Sequence, residues 1–291
     1  MSGRTDHLAA SVLDAFVRGV RALPQSWVRP LGGLLGSLVY RLDARHPRVA
    51  RRNLETALPE LSHSQAEGIA RRCFRRQGSL ALDNIRLATF DPAEMCRRLD
   101  LEGWDNFHQA EAAGRGVLIF SAHLGVHDLL AHAVPLYKGP LDIVARPTGK
   151  RRVDTLLADM RKVHGNRLIA KRGAVWGMLE ALRRGGRVAI LLDQRVHPNE
   201  GIEVPFFGRM SWTSPFPARV CQRTGAPALP IFSYQTAGGR YRLVARPPIF
   251  PRGEGERETT RLCTAFLAAI EREVRAQPEE WLWMHERWRR H

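Results

Sequence analysis

From about residue 115 onward, short β-rich apolar runs alternate with segments of helical periodicity, and this alternation restricts the fold more than any other feature of the chain. Strands are expected at Val117–Ser121, Leu141–Ala145, Arg167–Ala170, Val188–Leu192, Ala228–Tyr234 and Tyr241–Ala245. Helices are expected between them at His127–Val134, Arg151–His164, Ala174–Arg184 and Pro217–Thr224, with a longer amphipathic one at Glu256–Arg275. Strands and helices in alternation are the pattern of βαβ units around a parallel sheet. Gly238-Gly239 between the last two strands predicts a hairpin, and with it an antiparallel edge. Residues 1–110 read as mostly helical and basic. Ser62 and Gln65 stand at capping-box spacing, and Asp91-Pro92 predicts another helix start. The expected class is therefore α/β: a mainly parallel central sheet flanked by helices (residues 111–291) with a helical N-terminal extension (residues 1–110), the two forming one structural domain.

Charge narrows the partners. The 291 residues include 45 Lys and Arg against 29 Asp and Glu, a formal charge of +16. Such an excess calls for an acidic partner: nucleic acid, anionic lipid, a phosphorylated substrate or an acidic protein. Apolar residues at 44% and charged residues at 25% are ordinary globular usage and exclude whole-chain disorder. Cys73, Cys96, Cys221 and Cys263 are far apart with no CxxC, which suits reduced thiols in a cytosol rather than a zinc ribbon or a disulfide framework. No secretory signal is expected at the N-terminus.

No membrane span is expected. Pro30–Tyr40 is uncharged but short, and lies between Arg29 and Arg41. Gly116–Tyr137 carries His123, His127, Asp128 and His132, at a density costly in lipid. Leu8, Val12, Phe16, Val20 and Leu23 recur at near-helical spacing with Arg18 and Arg21 among them. That pattern suits a helix lying in a lipid interface, and equally one packed on the domain.

The segment richest in chemistry is Gly116 to Asp128, an apolar strand running into a small-residue turn and then a helix. Ligands of open α/β sheets gather at the carboxyl ends of strands, where His123 falls. If His123 precedes the helix and Asp128 lies in its first turn, the carboxylate can orient the imidazole, and His123 can act as a general base on a hydroxyl. Two other readings stand beside this one. His123 and His127 at i, i+4 can chelate zinc with His132 or Asp193. More plainly, His123 is a satisfied histidine at a helix start and Asp128 an acid favoured by the helix dipole.

Further candidates follow. Asp193-Gln194 ends an apolar strand, where it can orient a base or substrate or simply form a turn. Arg146-Pro147 follows another strand, and its guanidinium is suited to clamp a phosphate or carboxylate. Arg151, Arg152, Arg161, Lys162, Arg167, Lys171 and Arg172 make either a solvated face or an anion field. Phe206, Phe207 and Gly208 sit in a loop-like stretch of unusual apolar weight, fit to line a hydrocarbon channel or to anchor in the core. The Trp281 to Arg290 end combines Trp and Arg, suited to a headgroup interface or to packing with snorkelling arginines.

Taken together, Arg52-Asn53-Leu54, Leu58-Pro59-Glu60, His123…Asp128, Arg146-Pro147, Asp193-Gln194, Val204-Pro205-Phe206-Phe207-Gly208, Thr224-Gly225-Ala226-Pro227 and Trp281-Leu282-Trp283 with Arg287-Trp288 resemble, in order and spacing, the bacterial lipid A biosynthesis (lauroyl/myristoyl) acyltransferases of the lysophospholipid acyltransferase superfamily. The resemblance spans roughly residues 10–290. It implies transfer of a fatty acyl group from an acyl carrier protein or acyl-CoA thioester to a hydroxyl of a lipid A precursor or related anionic glycolipid. It implies work at the cytoplasmic face of the bacterial inner membrane, peripheral or monotopic, with no metal, no other cofactor and no nucleic acid. His123 would be the base and Asp128 its orienting acid. Arg146, Arg161, Asp193, Gln194, Phe206, Phe207 and Gly208 would serve substrate binding. Asp128 stands where the lipid A enzymes usually carry Glu, which leaves phosphoinositide mannosides and polyene-type lipids as alternative acceptors. A non-enzymatic basic protein binding membrane or nucleic acid is the remaining class. For nucleic acid, the arginine runs of residues 48–76 lack interleaved aromatics apart from Phe74.

Overall fold

The computed structural model describes residues 2–170 and 173–288. The Leu8 side chain, Lys171, Arg172, Arg289 and Arg290 lie outside the described residues. In chain order the elements are α1 (Ser2–Ala22), α2 (Gln25–Leu42), α3 (His46–Ala57), α4 (His63–Leu87), α5 (Pro92–Arg98), β1 (Leu99–Glu102), α6 (Asp105–Glu111) and β2 (Val117–Ser121). They continue with α7 (Leu129–Lys138), β3 (Asp142–Ala145), α8 (Arg151–Arg161), β4 (Arg167–Ala170), α9 (Ala174–Arg183) and β5 (Arg187–Leu191). The rest are β6 (Ile202–Phe206), β7 (Arg209–Thr213), α10 (Phe216–Thr224), β8 (Ala228–Gln235), β9 (Tyr241–Ala245) and α11 (Glu256–Ala276).

The main sheet has seven strands in the order β1-β9-β8-β2-β5-β3-β4. Every neighbouring pair is parallel except β8 with β9, which join as an antiparallel hairpin at Gly238-Gly239. The hairpin is where its glycines predict it, but it does not end the sheet. β1, from the N-terminal region expected to be mostly helical, pairs parallel to β9 and forms the true edge. Leu99-Asp100-Leu101-Glu102 has two acids and no β-branched or aromatic residue, so its composition does not mark a strand. β6 and β7 make a separate two-stranded hairpin, read from sequence as loop because of its proline and bulky turn.

β2 is buried along its whole length, as a central strand covered on both faces must be. One face packs with α3, α4, α9, α10 and α11 and the C-terminal tryptophans, the other with α5, α6 and α7. Ser62 caps α4 with the reciprocal bond from Gln65 predicted by its spacing, and Asp91 caps α5. α4 contributes side chains from residues 66–74 to one core and Leu80 and Leu87 to the other, and it packs closely against α2. No helix among the described residues is long and apolar enough to cross a membrane.

Candidate active site

β2 and β5 lie side by side in parallel, with Ser121 opposite Leu191. Two residues beyond each stand His123 and Asp193, so the register of two neighbouring strands delivers an imidazole and a carboxylate together at the carboxyl edge. The His123 Nδ1 is 2.9 Å from Asp193 Oδ1. The backbone N–H of His123 donates to Oδ2 at 3.0 Å, and the Trp281 indole N–H donates to the same oxygen at 2.8 Å. Asp193 is buried, while the His123 side chain keeps 24% of its surface exposed. With Nδ1–H given to the carboxylate, a neutral ring carries its free lone pair on Nε2. The amide nitrogen of exposed Gln194 lies 3.3 Å from that atom.

Burial pulls the His123 pKa down, but the charge and hydrogen bond of Asp193, helped by the more distant Asp128 charge, outweigh it and hold it above the ordinary histidine value. Burial would raise Asp193, yet the His123 charge and its hydrogen bond, with those from Trp281 and the His123 backbone, hold it well below the usual carboxylate range.

The expectation that Asp128 holds the His123 ring is corrected by this geometry. Asp128 precedes α7 and accepts from Arg161 Nε at 2.8 Å and Asn84 Nδ2 at 3.3 Å. Its nearest imidazole is His127, at 3.7 Å. The intervening turn explains why. Gly125 has φ +56°, and a Cβ there would stand 2.0 Å from the Ser233 carbonyl oxygen. The Gly125 N–H donates to Glu280 O at 3.1 Å, and that of Val126 to Ser233 O at 2.9 Å. With the turn wedged between β8 and the C-terminal segment, Asp128 meets α4 and α8 instead of His123. Burial would raise its pKa, but His127 and Arg161 bring it down to about 2.

The C-terminal segment lies across the site as a strap. Leu282 N–H donates to His123 O at 3.0 Å, and Arg195 N–H to His285 Nε2 at 3.3 Å. Asn53 of α3 holds the strap from behind through Trp283 O and His285 O at 2.8 and 2.7 Å. Buried Arg287 ties it to β7 through Trp212 O and Thr213 Oγ1 at 2.7 and 2.8 Å. Trp281, Asn53 and His285 were not picked out as site residues from sequence. The Trp-rich ending and the Arg52-Asn53-Leu54 motif were their only signals.

The other expected site residues divide. Arg146 is exposed just past the carboxyl end of β3, on the same edge of the sheet. Arg161 is engaged by Asp128. Phe206 and Phe207 are buried among Trp281, Trp283 and Trp288 rather than lining an open channel, which corrects that reading. Phe207 and Gly208 form the hairpin turn, both at positive φ (53° and 69°), and Gly208 is exposed there. For the zinc alternative, the His123 and His127 rings are 5.1 Å apart at 56°, and His132 packs against His164. No three His, Cys, Asp or Glu residues among the described ones gather as a metal group. Two open clefts, of 490 and 330 Å³, lie beside α9 and α4, and neither is lined by His123, Asp128 or Asp193.

A family model described as bacterial lipid A biosynthesis acyltransferase matches residues 5–290. The chain belongs to that family. This acyltransferase is 25% identical to the lipid A biosynthesis lauroyltransferase of Escherichia coli over 92% of its own length and 87% of the relative's. It is 27% identical to the palmitoleoyltransferase of the same organism, over 89% and 84%. With the phosphatidylinositol mannoside acyltransferase of Mycobacterium tuberculosis it shares 28% identity, over 72% and 68%. The acyltransferase's Cys73 and Cys263 thiols are pushed up to about 12 by burial, so neither is a ready nucleophile at neutral pH.

Proposed function

We propose that this acyltransferase moves a fatty acyl chain from an acyl carrier protein or CoA thioester to a hydroxyl of a lipid A precursor or related anionic glycolipid, at the cytoplasmic face of the inner membrane. The observation that carries the mechanism is the His123 ring, tied through Nδ1 to buried Asp193 and presenting Nε2 beside Gln194. Nε2 takes the acceptor hydroxyl proton as the oxygen attacks the thioester carbonyl carbon. The resulting imidazolium is stabilised by the Asp193 carboxylate. Collapse of the tetrahedral intermediate breaks the C–S bond, and the thiolate takes the proton back from Nε2–H. Atoms and charge balance without a covalent acyl-enzyme.

Asp128 acts at one remove in this scheme. It fixes Arg161 at the C-terminal end of α8, and its charge adds to the basicity of His123. Exposed Arg146 on the same sheet edge supplies a guanidinium for a phosphate of the acceptor. The charge of +16 complements an acidic carrier protein, a phosphorylated glycolipid and anionic membrane alike. A phosphatidylinositol mannoside acceptor is the second reading, supported by the 28% identity to enzymes named for it. It shares the anionic glycosylated headgroup and the same chemistry.

The test is acyl transfer followed by lipid mass spectrometry, with acyl carrier protein and CoA donors and both acceptors. His123→Ala is expected to lose at least about 10²-fold in rate while staying folded. Asp193→Asn is expected to lose about as much, and Asp128→Asn less. Full turnover by His123→Ala removes the mechanism. A larger loss in Asp128→Asn than in Asp193→Asn returns the orienting role to Asp128.

A further inference from the structure

Arg76 of α4 has no part in the proton transfers of His123, yet it grips the segment on which the reacting pair depends. Its Nε stands 2.6 Å from one oxygen of the Glu280 carboxylate and donates to the other at 2.8 Å. Its Nη1 donates to the Gln235 side-chain carbonyl at 2.6 Å, at the end of β8. The Glu280 side chain is only 8% exposed. One turn earlier on the same helix, the Cys73 thiol donates to Trp281 O at 3.0 Å. α4 therefore fastens two consecutive residues of the strap, Glu280 and Trp281.

The same two residues meet the turn that carries His123. Gly125 N–H donates to Glu280 O at 3.1 Å and Leu282 N–H to His123 O at 3.0 Å, with Leu124 and Trp281 paired antiparallel between them. From this short ladder the Trp281 indole reaches Asp193. The Glu280 backbone thus supports the His123 turn, and the next side chain along holds the carboxylate that orients the ring. Asn53 and Arg287 anchor the strap beyond Trp281, whereas Arg76 anchors it just before.

Arg76 is itself held from the other side. Gln235, which accepts from the guanidinium, donates through Nε2 to Asp83 at 2.5 Å, and fully buried Asp83 also accepts from the Tyr241 hydroxyl at 2.9 Å. Arg76 and Asp83 are seven residues apart on α4, which puts them within roughly 20° of each other around the helix. With its guanidinium braced against β8, Arg76 cannot follow the strap, so the strap must follow Arg76. A buried ion pair adds little net stability, because desolvation of two charges offsets their attraction. What this one supplies is a fixed distance between α4 and the strap. The geometry points to Arg76 as a positioning residue for acyl transfer: through Glu280 it sets the Trp281 indole on Asp193 and supports the His123 turn, without touching substrate. This rests on His123 and Asp193 being the reacting pair.

The test is acyl transfer across pH by full-length Arg76→Gln, by Arg76→Met combined with Glu280→Met, and by each of these with Trp281→Phe. The methionine pair leaves the net charge unchanged and puts apolar groups in place of a buried ion pair, a change that is often neutral for stability. Arg76→Gln and the methionine pair are each expected to lose about tenfold in kcat with KM within about twofold, the size of one charge-assisted hydrogen bond. In the methionine pair the limb on which kcat/KM rises with pH should move up, since Asp193, released by the indole, is felt more strongly by His123 while no charge has been added. Either change combined with Trp281→Phe should lose about what Trp281→Phe loses alone, because both remove the same contact. A methionine pair that melts like the wild type and keeps its kcat and its limb overturns the inference. So do losses that multiply with Trp281→Phe to about a hundredfold, and Arg76→Gln supplies that comparison if the methionine pair does not fold. His123→Ala in the same assay separates the two ideas. Full turnover there ends the reading of the reacting pair, while an inactive His123→Ala beside an unchanged limb in the methionine pair ends only the role of Arg76.

Discussion

Asp193 is buried and Asp128 keeps 12% of its side chain exposed; both carboxylates stand near the His123 cluster, yet they hold different partners. Asp193 accepts from the ring, from the His123 backbone and from the Trp281 indole. Asp128 accepts from a guanidinium and an amide. A carboxylate saturated by fixed donors cannot swing away from the imidazole it orients, and Trp281 is the donor that shares Oδ2 with the backbone. Trp281→Phe keeps the ring packing and removes that one N–H. The Asp193 charge is then less dispersed and more strongly felt by His123. The expected result is a fall in kcat of about tenfold with KM within about twofold, one charge-assisted hydrogen bond being worth roughly 1.5–3 kcal/mol. Because His123 must be neutral to act as base, and its pKa is raised, activity in the wild type should climb with pH through an apparent pKa above 6.5. In Trp281→Phe that limb should move further up. A pH–rate profile of kcat/KM decides it: a limb that stays in place while KM rises with the loss of rate would mean that Trp281 only packs.

Among the elements, the α2–α4 seam and α1 make opposite predictions for the same substitution. Gly36→Ala forces a Cβ to 2.1 Å from the Phe74 carbonyl oxygen, so the two helices must part. A loss of roughly 1–3 kcal/mol is expected in urea unfolding. Gly19, in α1, has nothing within 4 Å of the corresponding position. There Gly19→Ala should stabilise by up to about 1 kcal/mol through helix propensity alone. Equal effects at the two positions would mean that the seam is not close-packed. Pro30–Tyr40 is too short and too glycine-rich to be read as a span. Its glycines recur at a spacing that marks a helix–helix seam, and the leucines between them are the face that seam leaves outside. The stripe sought on α1 is split: Val20 packs inward, while Val12 and Phe16 face out.

For the molecule as a whole, one buried histidine, His132, and the half-buried His127 and His285 set the response to acid. Burial lowers His132 to about 4, and it also lowers His127 and His285. Between pH 6.5 and 4 the unfolded chain therefore binds protons that the folded chain refuses. The stability these groups contribute is present above 6.5 and lost as pH falls through that window. His132 alone represents about 3 kcal/mol across it, at about 1.4 kcal/mol per pKa unit. His123 has the opposite sign, its contribution being complete below 6.5 and lost as pH rises through its raised folded value. Calorimetry should show the melting temperature dropping from pH 6.5 to 4, and His132→Leu should flatten that slope. An unchanged slope in that variant would place the acid sensitivity elsewhere.

Local pattern was enough for much of this. The alternation of apolar strands with amphipathic helices predicts the parallel sheet because each element reports its own burial within a few residues. Val117–Ser121, Arg167–Ala170 and Tyr241–Ala245 fall where periodicity sets them. The position of His123 just past a buried strand follows from the same reading. Which acid would hold its ring does not, since Asp193 is 70 residues away and reaches it only because β5 inserts between β2 and β3. Strand order is a property of the closed fold, settled by how all the helices cover the sheet together. The same holds for the strap that brings Trp281 to Asp193, and for the seam that turns the α2 leucines outward: each is a contact between segments that no run of neighbouring residues can encode.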